Sequence, residues 1–576
     1  MQSNIESKRH TLAHLLAASV RELFPGSENA IGPAIENGFY QDFEIKGKVT
    51  DEDLPKIEEK MRELLKNWKN FEKKEVSKDE ALSEFSWNKY KSELIEDFAR
   101  DDKEITFYTC GGFIDLCKGG HSENPSSEIA PDSFMLDRVA GAYWKGDEKN
   151  KMLTRIYGLA FDTKAELDAY VTQQEEARKR DHKKLGRELG LFVFSDLVGP
   201  GLPLWTPKGT ILREVLNDFV WELRQKYGYK KVTIPHITKK DLYETSGHWA
   251  KYADDLFKIE TREKHLYAMK PMNCPHHTQI FDAEMRSYRD MPQRYCETTM
   301  VYRDEQSGEL AGLSRVLSIT QDDAHVFCRI NQIQEEASMV WDIINTFYTT
   351  FNFNLIPRLS RRGDDKTKYL GEEKNWDLAE TMLKNVILHH TQLHIDGPGE
   401  AAFYGPKIDF MASDAIGRKH QVATIQLDFV QPERFGLYCI NEKGEKESIA
   451  MFHVAIMGSI ERFLSVIIEH YAGAFPLWLS PVQVKIVPIG ENEAEYAKTF
   501  AQKLTDAGIR YELDDSNESL GKRIRAAKME KVPYVAVIGK KEVEEGKVTL
   551  EGRTEKFELS VDEAIEKLSS EIKNRS

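Results

Sequence analysis

Apolar residues recur at helical spacing in the middle of the chain. Between residues 207 and 229 this pattern predicts a helix with one buried face, formed by Ile211, Leu212, Val215, Leu216, Phe219, Val220 and Leu223. A strand-like VTIP, which ends at Pro235, follows the helix. Residues 458–473 show a second amphipathic pattern, with Arg462 in the first turn. A cation there opposes the helix dipole, so Arg462 is more readily explained if it faces an anionic ligand.

The distribution of polar and apolar residues predicts how the rest of the chain divides into domains. Residues 164–188 are charged, favour helix and lack proline, which predicts a solvated connecting helix. The mixed α/β region before it and the large aromatic region after it are predicted as separate domains, residues 1–163 and 189–477. Residues 478–576 alternate strand-like and helical segments, which is typical of a compact α/β domain. The predicted segments are strand 482–489, helix 492–507, strand 510–514, helix 518–530, strands 533–538 and 547–550, and a terminal helix.

Composition narrows the class of protein. A chain of 576 residues suggests roughly three to five domains, and 40% apolar residues exclude a disordered chain. No apolar run reaches the roughly 18 residues of a membrane helix, and the polar start does not resemble a secretory signal. Six scattered cysteines suggest reduced thiols and a cytoplasmic location. The net charge of −15 argues against coating nucleic acid by bulk charge, although local basic patches remain compatible with it.

The most informative segment is residues 298–327. Arg303 ends an apolar strand-like run, and a polar loop that contains glycine follows. Arg315 and a second strand-like run then lead into the cluster Asp322-Asp323-Ala324-His325. Two arginines around a loop are suited to a triphosphate, and the cluster could hold a metal or a small polar ligand.

These elements resemble the three signature motifs of class II aminoacyl-tRNA synthetases, namely the helix and strand up to Pro235, the VYRDE segment with its loop, and GSIER. Five segments resemble those of threonyl-tRNA synthetases in their order and approximate spacing: MNCPHH (272–277), TQDDAH (320–325), AFYGPKIDF (402–410), QVATIQLDF (421–429) and FHVAIMGSIERF (452–463). The form resembled lacks the N-terminal ubiquitin-like domain that relatives often carry.

The resemblance implies a multidomain α+β fold. An antiparallel sheet flanked by helices would form the catalytic domain, between an N-terminal α+β editing domain and a C-terminal α/β anticodon-binding domain. Its implied function is ATP-dependent ligation of L-threonine to tRNA(Thr) through threonyl-adenylate, with hydrolysis of seryl-tRNA(Thr). A homodimer is also implied, because motif 1 forms a two-fold interface in this class.

The resemblance also assigns roles around the reaction. Arg303 would bridge the threonine carboxylate and the α-phosphate, and Glu305 would meet the adenine side. Arg315 and Arg462 would hold the β/γ end of ATP, which carries Mg²⁺. The remaining assignments are Lys407 and Gln421 at the reacting centre, Thr424 at ATP, and Met272, Gln321, Asp323, Tyr404 and Gln426 around threonine, with Asp323 accepting its hydroxyl. Ile319 replaces the aromatic residue or methionine that more commonly packs near adenine.

Three residues are the implied zinc ligands. Cys274, His325 and His453 lie far apart in sequence, and their spacing alone would have almost no predictive power. One cysteine and two histidines leave a coordination position open, as a catalytic zinc requires. His276 departs from the small residue usual at its position and is a candidate competing ligand.

The N-terminal region contains a second polar set. His10 and His14 are four residues apart on one face of a predicted helix, Cys117 and His121 repeat that spacing, and Asp115 precedes them. From spacing alone, either a zinc site or ordinary polar residues on a helix face would explain them. The resemblance implies the editing site shared with alanyl-tRNA synthetases, and whether it binds metal stays open. Editing is needed because serine lacks only one methyl of threonine, which is worth roughly 1–3 kcal/mol.

The C-terminal region contains a basic segment, KRIRAAKMEK (522–531). It would be either a solvated helix face or a surface that contacts tRNA phosphates. The resemblance assigns anticodon contacts to Glu544 and Arg553. The usual Arg-x-Arg appears here as Glu551-Gly552-Arg553, which removes one cation.

Two other functions remain in competition. A synthetase-like RNA-binding or regulatory protein without ligase activity would be expected to lose the motif arginines or the Cys/His/His set, and all are intact. A related synthetase of another specificity, such as prolyl, is disfavoured by the same set and by the editing region.

Overall fold

The computed structural model describes residues 4–575, which form two compact units separated after Glu176. None of the described helices is both long and apolar enough to cross a bilayer. The first unit contains, in chain order, α1 (Asn4–Leu23), β1 (Glu28–Asn29), β2 (Ala34–Ile35), β3 (Gly38–Glu44), α2 (Leu54–Leu65), β4 (Glu72–Glu75), α3 (Lys78–Glu84), α4 (Lys89–Arg100), β5 (Thr106–Cys110), β6 (Phe113–Leu116), α5 (Pro125–Glu128), β7 (Phe134–Tyr143), β8 (Met152–Ala160) and the start of α6 (Lys164–Arg180).

The first unit is built around α1. Leu12, Leu15 and Leu16 are buried on this helix, in one core cluster with Phe39 and Phe43 of β3. One sheet has the order β1-β3-β8-β7, with β2 paired to β3, and a second has the order β4-β5-β6. The predicted α+β character of this region is confirmed.

The second unit contains the large central region. Its elements are α7 (His182–Glu188), β9 (Phe192–Val193), β10 (Leu204–Trp205), α8 (Pro207–Gln225), β11 (Lys230–Lys231), β12 (Ile237–Lys239), α9 (Lys240–Ser246), α10 (His248–Lys251), β13 (Lys258–Glu260), β14 (Leu266–Met269), α11 (Cys274–Asp282), β15 (Gln293–Tyr302), β16 (Ser318–Arg329), α12 (Ile333–Thr350), β17 (Leu355–Arg361), α13 (Glu373–His390), β18 (Ile395–Pro398), β19 (Lys407–Ser413), β20 (Lys419–Asp428), α14 (Val430–Arg434), β21 (Tyr438–Ile440), β22 (Lys446–Ala455) and α15 (Ile460–His470).

A predominantly antiparallel sheet with the order β11-β15-β16-β22-β20-β19-β17-β18 organises this region, and β21 pairs with β22. Among the described strand pairings of this sheet, only those at its two edges are parallel, β11 with β15 and β17 with β18. Helices α8, α12, α13 and α15 contribute to the same large core as the central strands. The predicted antiparallel sheet flanked by helices is therefore confirmed.

The C-terminal part of the second unit has the predicted α/β rhythm. It contains β23 (Val484–Pro488), α16 (Ala494–Asp506), β24 (Tyr511–Leu513), α17 (Leu520–Met529), β25 (Tyr534–Ile538), α18 (Lys540–Glu545), β26 (Lys547–Glu551), β27 (Lys556–Ser560) and α19 (Val561–Asn574). The sheet order is β24-β23-β25-β26-β27. Helix α18 and strand β27 were not predicted from the sequence.

Two local predictions are wrong. VTIP is not a strand, because β11 ends at Lys231, although the Val232 amide still donates to the Cys296 carbonyl at 3.0 Å. The connecting segment is two helices, because Asp181 caps the second one by accepting from the Lys183 and Lys184 amides. The second helix is also not fully solvated, since His182 is buried with its Nδ1 2.7 Å from Glu469 Oε1.

A buried ion pair joins the motif segments of the central region. Asp322 of β16 is fully buried, and its Oδ1 lies 2.5 Å from Nη1 of the buried Arg224 of α8. Its Oδ2 accepts from the amides of Ile456 and Met457 at 2.9 and 3.0 Å. The Asp322 amide donates to the Gly458 carbonyl at 2.9 Å. One carboxylate therefore connects α8, β16 and the turn that leads into α15.

We predict that Arg224→Met destabilises the catalytic region strongly. The variant leaves a buried carboxylate without its cation, which typically costs about 3–5 kcal/mol. The thermal transition of this region, followed by calorimetry, should move to lower temperature. Adding Asp322→Asn should restore part of the loss, because the uncompensated charge is then gone. Equal or greater destabilisation in the double variant would contradict this account.

Candidate active site and N-terminal polar cluster

A cavity of about 610 Å³ opens on the central sheet. Its walls bring together predicted residues from distant parts of the chain: Met272, Arg303, Glu305, Arg315, Ile319, Gln321, Asp323, Tyr404, Lys407, Gln421, Thr424, Gln426, His453 and Arg462. The residues predicted to bind ATP and those predicted to bind threonine therefore line the same cavity.

Three arginines from different parts of the chain line the cavity together with Lys407. Arg303 follows the last residue of β15, and its Nη2 lies 3.4 Å from Met272 Sδ. Arg315 pairs with Glu305, with its Nη2 2.6 Å from Oε2. Arg462 stands in the first turn of α15, where its amide donates to the N-cap Ser459 at 3.2 Å. Three guanidinium groups around one cavity are suited to a polyanion, because each stays charged and can grip phosphate with a planar fork.

Strand β16 supplies the polar wall. Ile319, Gln321, Asp323 and His325 alternate along it and so share one face. Asp323 Oδ2 accepts from Asn273 Nδ2 at 3.0 Å. Burial raises the pKa of Asp323 to about 6, against the opposing effect of the Asn273 hydrogen bond. Gln321 Oε1 is buried without a hydrogen-bond partner among the described residues, so it can accept from a ligand.

Cys274, His325 and His453 converge beside this wall. Cys274 begins α11, while His325 and His453 are direct cross-strand partners on β16 and β22. Their ligand atoms all lie within 4.8 Å of one another, and all three side chains are buried. His325 Nε2 and His453 Nδ1 are 3.2 Å apart, which suits two nitrogens about 2.0–2.1 Å from one tetrahedral metal.

The surroundings of these side chains fit a metal centre. His453 Nε2 lies 2.8 Å from Asp428 Oδ2, and His325 Nδ1 lies 2.7 Å from His277 Nδ1. Metal-binding histidines usually have their second nitrogen held in this way. Burial also lowers the pKa of His325 well below its ordinary value, which favours the neutral ligand form. One thiol and two imidazoles are a donor set for zinc, with a position left for substrate.

His276 lies outside this set of three. Its Nε2 is 2.5 Å from Thr238 Oγ1, which gives the side chain a different partner. The sequence reasoning missed His277, Asp428 and Asn273, which orient the predicted residues. Only the position of His277 directly after His276 hinted at a role, since the other two act through contacts between distant strands and loops.

The polar set of the first unit also converges. The ligand atoms of His10, His14, Cys117 and His121 lie within 4.8 Å of one another. Cys117 Sγ is 3.4 Å from both His10 Nε2 and His121 Nε2. His10 and His14 share a face of α1, as predicted, whereas Cys117 and His121 lie in the loop after β6.

A buried carboxylate organises this cluster. Asp115 Oδ2 is 3.0 Å from His14 Nδ1 and accepts from Asn29 Nδ2 at 3.2 Å. Its Oδ1 is 2.7 Å from Lys91 Nζ, so Lys91 and Asn29 are two members that the sequence did not reveal. Burial opposes ionisation of Asp115, but Lys91 and His14 hold its pKa below the ordinary value.

The cluster has the electrostatics of a thiolate beside an imidazolium. Burial alone would raise the pKa of Cys117, yet hydrogen bonds from His10, His121 and His14 lower it to about 3. Burial alone would lower the pKa of His14, yet Asp115 and Cys117 raise it to about 9. Such a set can position water, exchange protons or bind a metal.

The residues predicted at the anticodon lie in the C-terminal part. Glu544 is exposed on α18, 3.5 Å from Lys540 Nζ. Arg553 donates to the carbonyls of Ala474 and Lys531 at 3.0 and 2.7 Å. Within the basic segment, the buried Arg523 donates to the Asp514 carbonyl at 3.0 Å and so supports the fold. Base contacts by Glu544 and Arg553 stay a prediction.

Three parts of the chain match known families. Residues 257–471 match the tRNA synthetase class II core domain (G, H, P, S and T). Residues 483–571 match the anticodon binding domain, and residues 105–157 match the threonyl and alanyl tRNA synthetase second additional domain. Together with the antiparallel sheet and the arginine-lined cavity, these matches define a class II aminoacyl-tRNA synthetase.

Curated relatives narrow the class. The chain is 45% identical to a threonine–tRNA ligase of Rubrobacter xylanophilus, over 98% of this chain and 89% of the relative. It is 46% identical to a threonine–tRNA ligase of Thermotoga maritima, over 99% and 88%. The chain belongs to the threonine–tRNA ligase family.

Solved structures agree with this assignment. The RNA binding domain of threonyl-tRNA synthetase from Cryptosporidium parvum is 38% identical, with a TM-score of 0.65, over 68% of this chain and 98% of that one. A prolyl-tRNA synthetase of the same organism is only 18% identical at a TM-score of 0.53, so it supports the fold alone. The curated ligase relatives and the match to the second additional domain do not favour the regulatory and prolyl alternatives.

Proposed function

We propose that this protein ligates L-threonine to tRNA(Thr) through threonyl-adenylate and hydrolyses seryl-tRNA(Thr) in its N-terminal unit. The observation that carries the proposal is β16, which supplies the wall of an arginine-lined cavity and a member of a buried Cys/His/His set. ATP with Mg²⁺, threonine and the tRNA are the substrates.

Activation brings two anions together. Attack of the threonine carboxylate on the α-phosphate releases pyrophosphate, and fixed cations offset the repulsion and the charge that develops. Arg303 bridges carboxylate and α-phosphate, while Arg315 and Arg462 hold the β/γ end. Glu305 meets the adenine, so its present pair with Arg315 must loosen when ATP binds. Lys407, Gln421 and Thr424 line the reacting side of the same cavity.

Threonine is selected by its hydroxyl. Cys274, His325 and His453 would hold one zinc ion per subunit. Held there, zinc would supply Lewis-acid attraction for the amino and hydroxyl groups of threonine. Asp323 accepts the hydroxyl, and Met272, Gln321, Tyr404 and Gln426 enclose the amino acid. Valine has no hydroxyl and leaves these polar groups unpaired, which is a strong penalty.

Serine passes this filter and is removed elsewhere. His10, His14, Cys117 and His121 position a water molecule at the ester of seryl-tRNA, and Asp115 fixes His14. The proposal has three further parts. The protein is a cytoplasmic homodimer that pairs through the α8 region, and Glu544 and Arg553 contact the anticodon. Its domains are residues 1–163, 189–477 and 478–576, with a linker at 164–188.

We predict a graded amino-acid dependence of ATP–pyrophosphate exchange. Threonine should support rapid exchange, and serine should be roughly 10–200-fold less efficient, as one methyl implies. Valine and proline should give none above background. Exchange with proline but not threonine would overturn the specificity, and exchange with no amino acid would favour the regulatory reading.

We predict that zinc is lost from Cys274→Ala, His325→Ala and His453→Ala. Each variant removes one of three donors, so metal analysis of the purified proteins should show well below one zinc per chain. Cys328→Ala is the matched control, because Cys328 is a buried cysteine on the same strand as His325. Full zinc content in all three ligand variants would refute the site.

We predict that His10→Ala combined with His14→Ala abolishes clearance of seryl-tRNA. The double variant removes two of the four clustered side chains, so mischarged tRNA should accumulate in a deacylation assay. Threonine-dependent exchange should be unchanged, because the cavity that carries it belongs to the other unit. Normal clearance of seryl-tRNA by the double variant would show that editing occurs elsewhere.

A further inference from the structure

A single buried carboxylate lies behind the reacting side of the cavity. Asp409 of β19 has no exposed surface and does not line the cavity. Its Oδ1 accepts from Gln421 Nε2 at 2.8 Å and from Thr424 Oγ1 at 2.9 Å. Its Oδ2 lies 2.9 Å from Lys407 Nζ. Three side chains that line the cavity are thus held by one group that a substrate does not reach.

The other side of Asp409 is anchored in the sheet. Oδ2 also accepts from Ser360 Oγ at 2.7 Å and from Arg358 Nη2 at 3.0 Å. The same Nη2 of Arg358 donates to Gln421 Oε1 at 3.0 Å. Both ends of the Gln421 amide are therefore fixed, which defines the orientation of the amide as well as its position.

Strand register explains why these residues meet. Arg358, Asp409 and Thr424 are direct neighbours across β17, β19 and β20. Gln421 stands three residues before Thr424, and in a regular strand the two side chains would point to opposite faces. The register shifts between Phe410 and Met411, so that Gln421 pairs with Met411. A β-bulge of this kind re-aims one side chain, and here it brings Gln421 onto the face of Asp409.

We propose that Asp409 is a positioning residue for adenylate formation, which acts through Lys407, Gln421 and Thr424. The inference rests on the proposed function, because it needs those three residues to face the reacting groups. The buried negative charge offsets Lys407 and Arg358 and holds the Lys407 ammonium in one place before substrates bind. Preorganised groups of this kind lower the barrier because they need little rearrangement during the reaction.

The first test is Asp409→Asn, measured by threonine-dependent ATP–pyrophosphate exchange. The amide keeps the shape, but it has one acceptor oxygen and places an NH₂ group against donors. The turnover number should fall on the order of 100-fold, as small misplacements of reacting groups do. The KM for threonine should change much less, because the hydrogen-bond and ion-pair partners of Asp409 do not include Gln321, Asp323 or Tyr404 among the described residues. An unchanged turnover number would overturn the proposal.

A double-mutant cycle distinguishes positioning of Lys407 by Asp409 from a loss of stability that is unrelated to Lys407. Lys407→Met alone should also lower turnover. If Asp409 acts through Lys407, adding Asp409→Asn to Lys407→Met should cost far less than it costs in the natural sequence. Multiplicative losses would contradict the positioning of Lys407 by Asp409, because the two substitutions would then act independently.

Glu336→Gln is the matched control. Glu336 is a buried carboxylate of the same unit, paired with Arg294 through contacts of 2.6 and 2.5 Å, and it does not line the cavity. This variant should lower the melting temperature while leaving turnover near that of the natural sequence. An equal fall in turnover in Glu336→Gln and Asp409→Asn would overturn the proposal.

A second, less disruptive variant tests the same proposal if Asp409→Asn does not fold. Ser360→Ala removes one hydrogen bond to Asp409 from outside the cavity and should lower turnover several-fold with little change in the KM for threonine. Unchanged turnover in this variant would contradict the proposal. Failure of the proposed function is distinguishable, because the natural sequence would then give no exchange with threonine.

Discussion

The structure depends on the buried contact between Asp322 and Arg224. Asp322 has no exposed surface, and its carboxylate meets a cation from α8 and two amides from the turn before α15. A buried charge is tolerated only when such partners surround it. Helix α8, strand β16 and helix α15 are therefore held in one arrangement, and the residue after Asp322 reaches into the substrate cavity.

Buried carboxylates recur beneath the functional groups. Asp428 lies behind His453, Asp409 behind Lys407, and Asp115 behind His14. In each case a charged or titratable side chain that faces a site is held from behind by an acid that solvent does not reach. Such a network restricts rotamers at little further entropic cost, because the partners are already fixed by the sheet or by the core around α1.

The two sites differ in their electrostatics. Around Cys274 burial raises the pKa of the thiol and lowers that of His325, which favours the neutral form of both side chains. Around Cys117 three nearby histidines lower the pKa of the thiol to about 3, and His14 is raised to about 9. A metal bound at the first site would have to displace the thiol proton, whereas the second site already offers a thiolate that can position water, exchange protons or bind a metal.

The sequence by itself determined the local elements and the identity of the motifs. Helical spacing located α8, and the order of short segments identified the family before any contact was known. Tertiary structure decided what local patterns do not encode. His325 and His453 are distant in sequence and become neighbours through strand register, and Gln421 reaches Asp409 only because a bulge shifts that register. Asp181 is a residue type that often caps a helix, so the sequence contained a signal for a second helix. Charge and helix propensity nevertheless favoured one continuous helix over residues 164–188. Pairing between distant strands is a property of the whole sheet, so the roles of Asp409 and Asp428 emerged only from the fold.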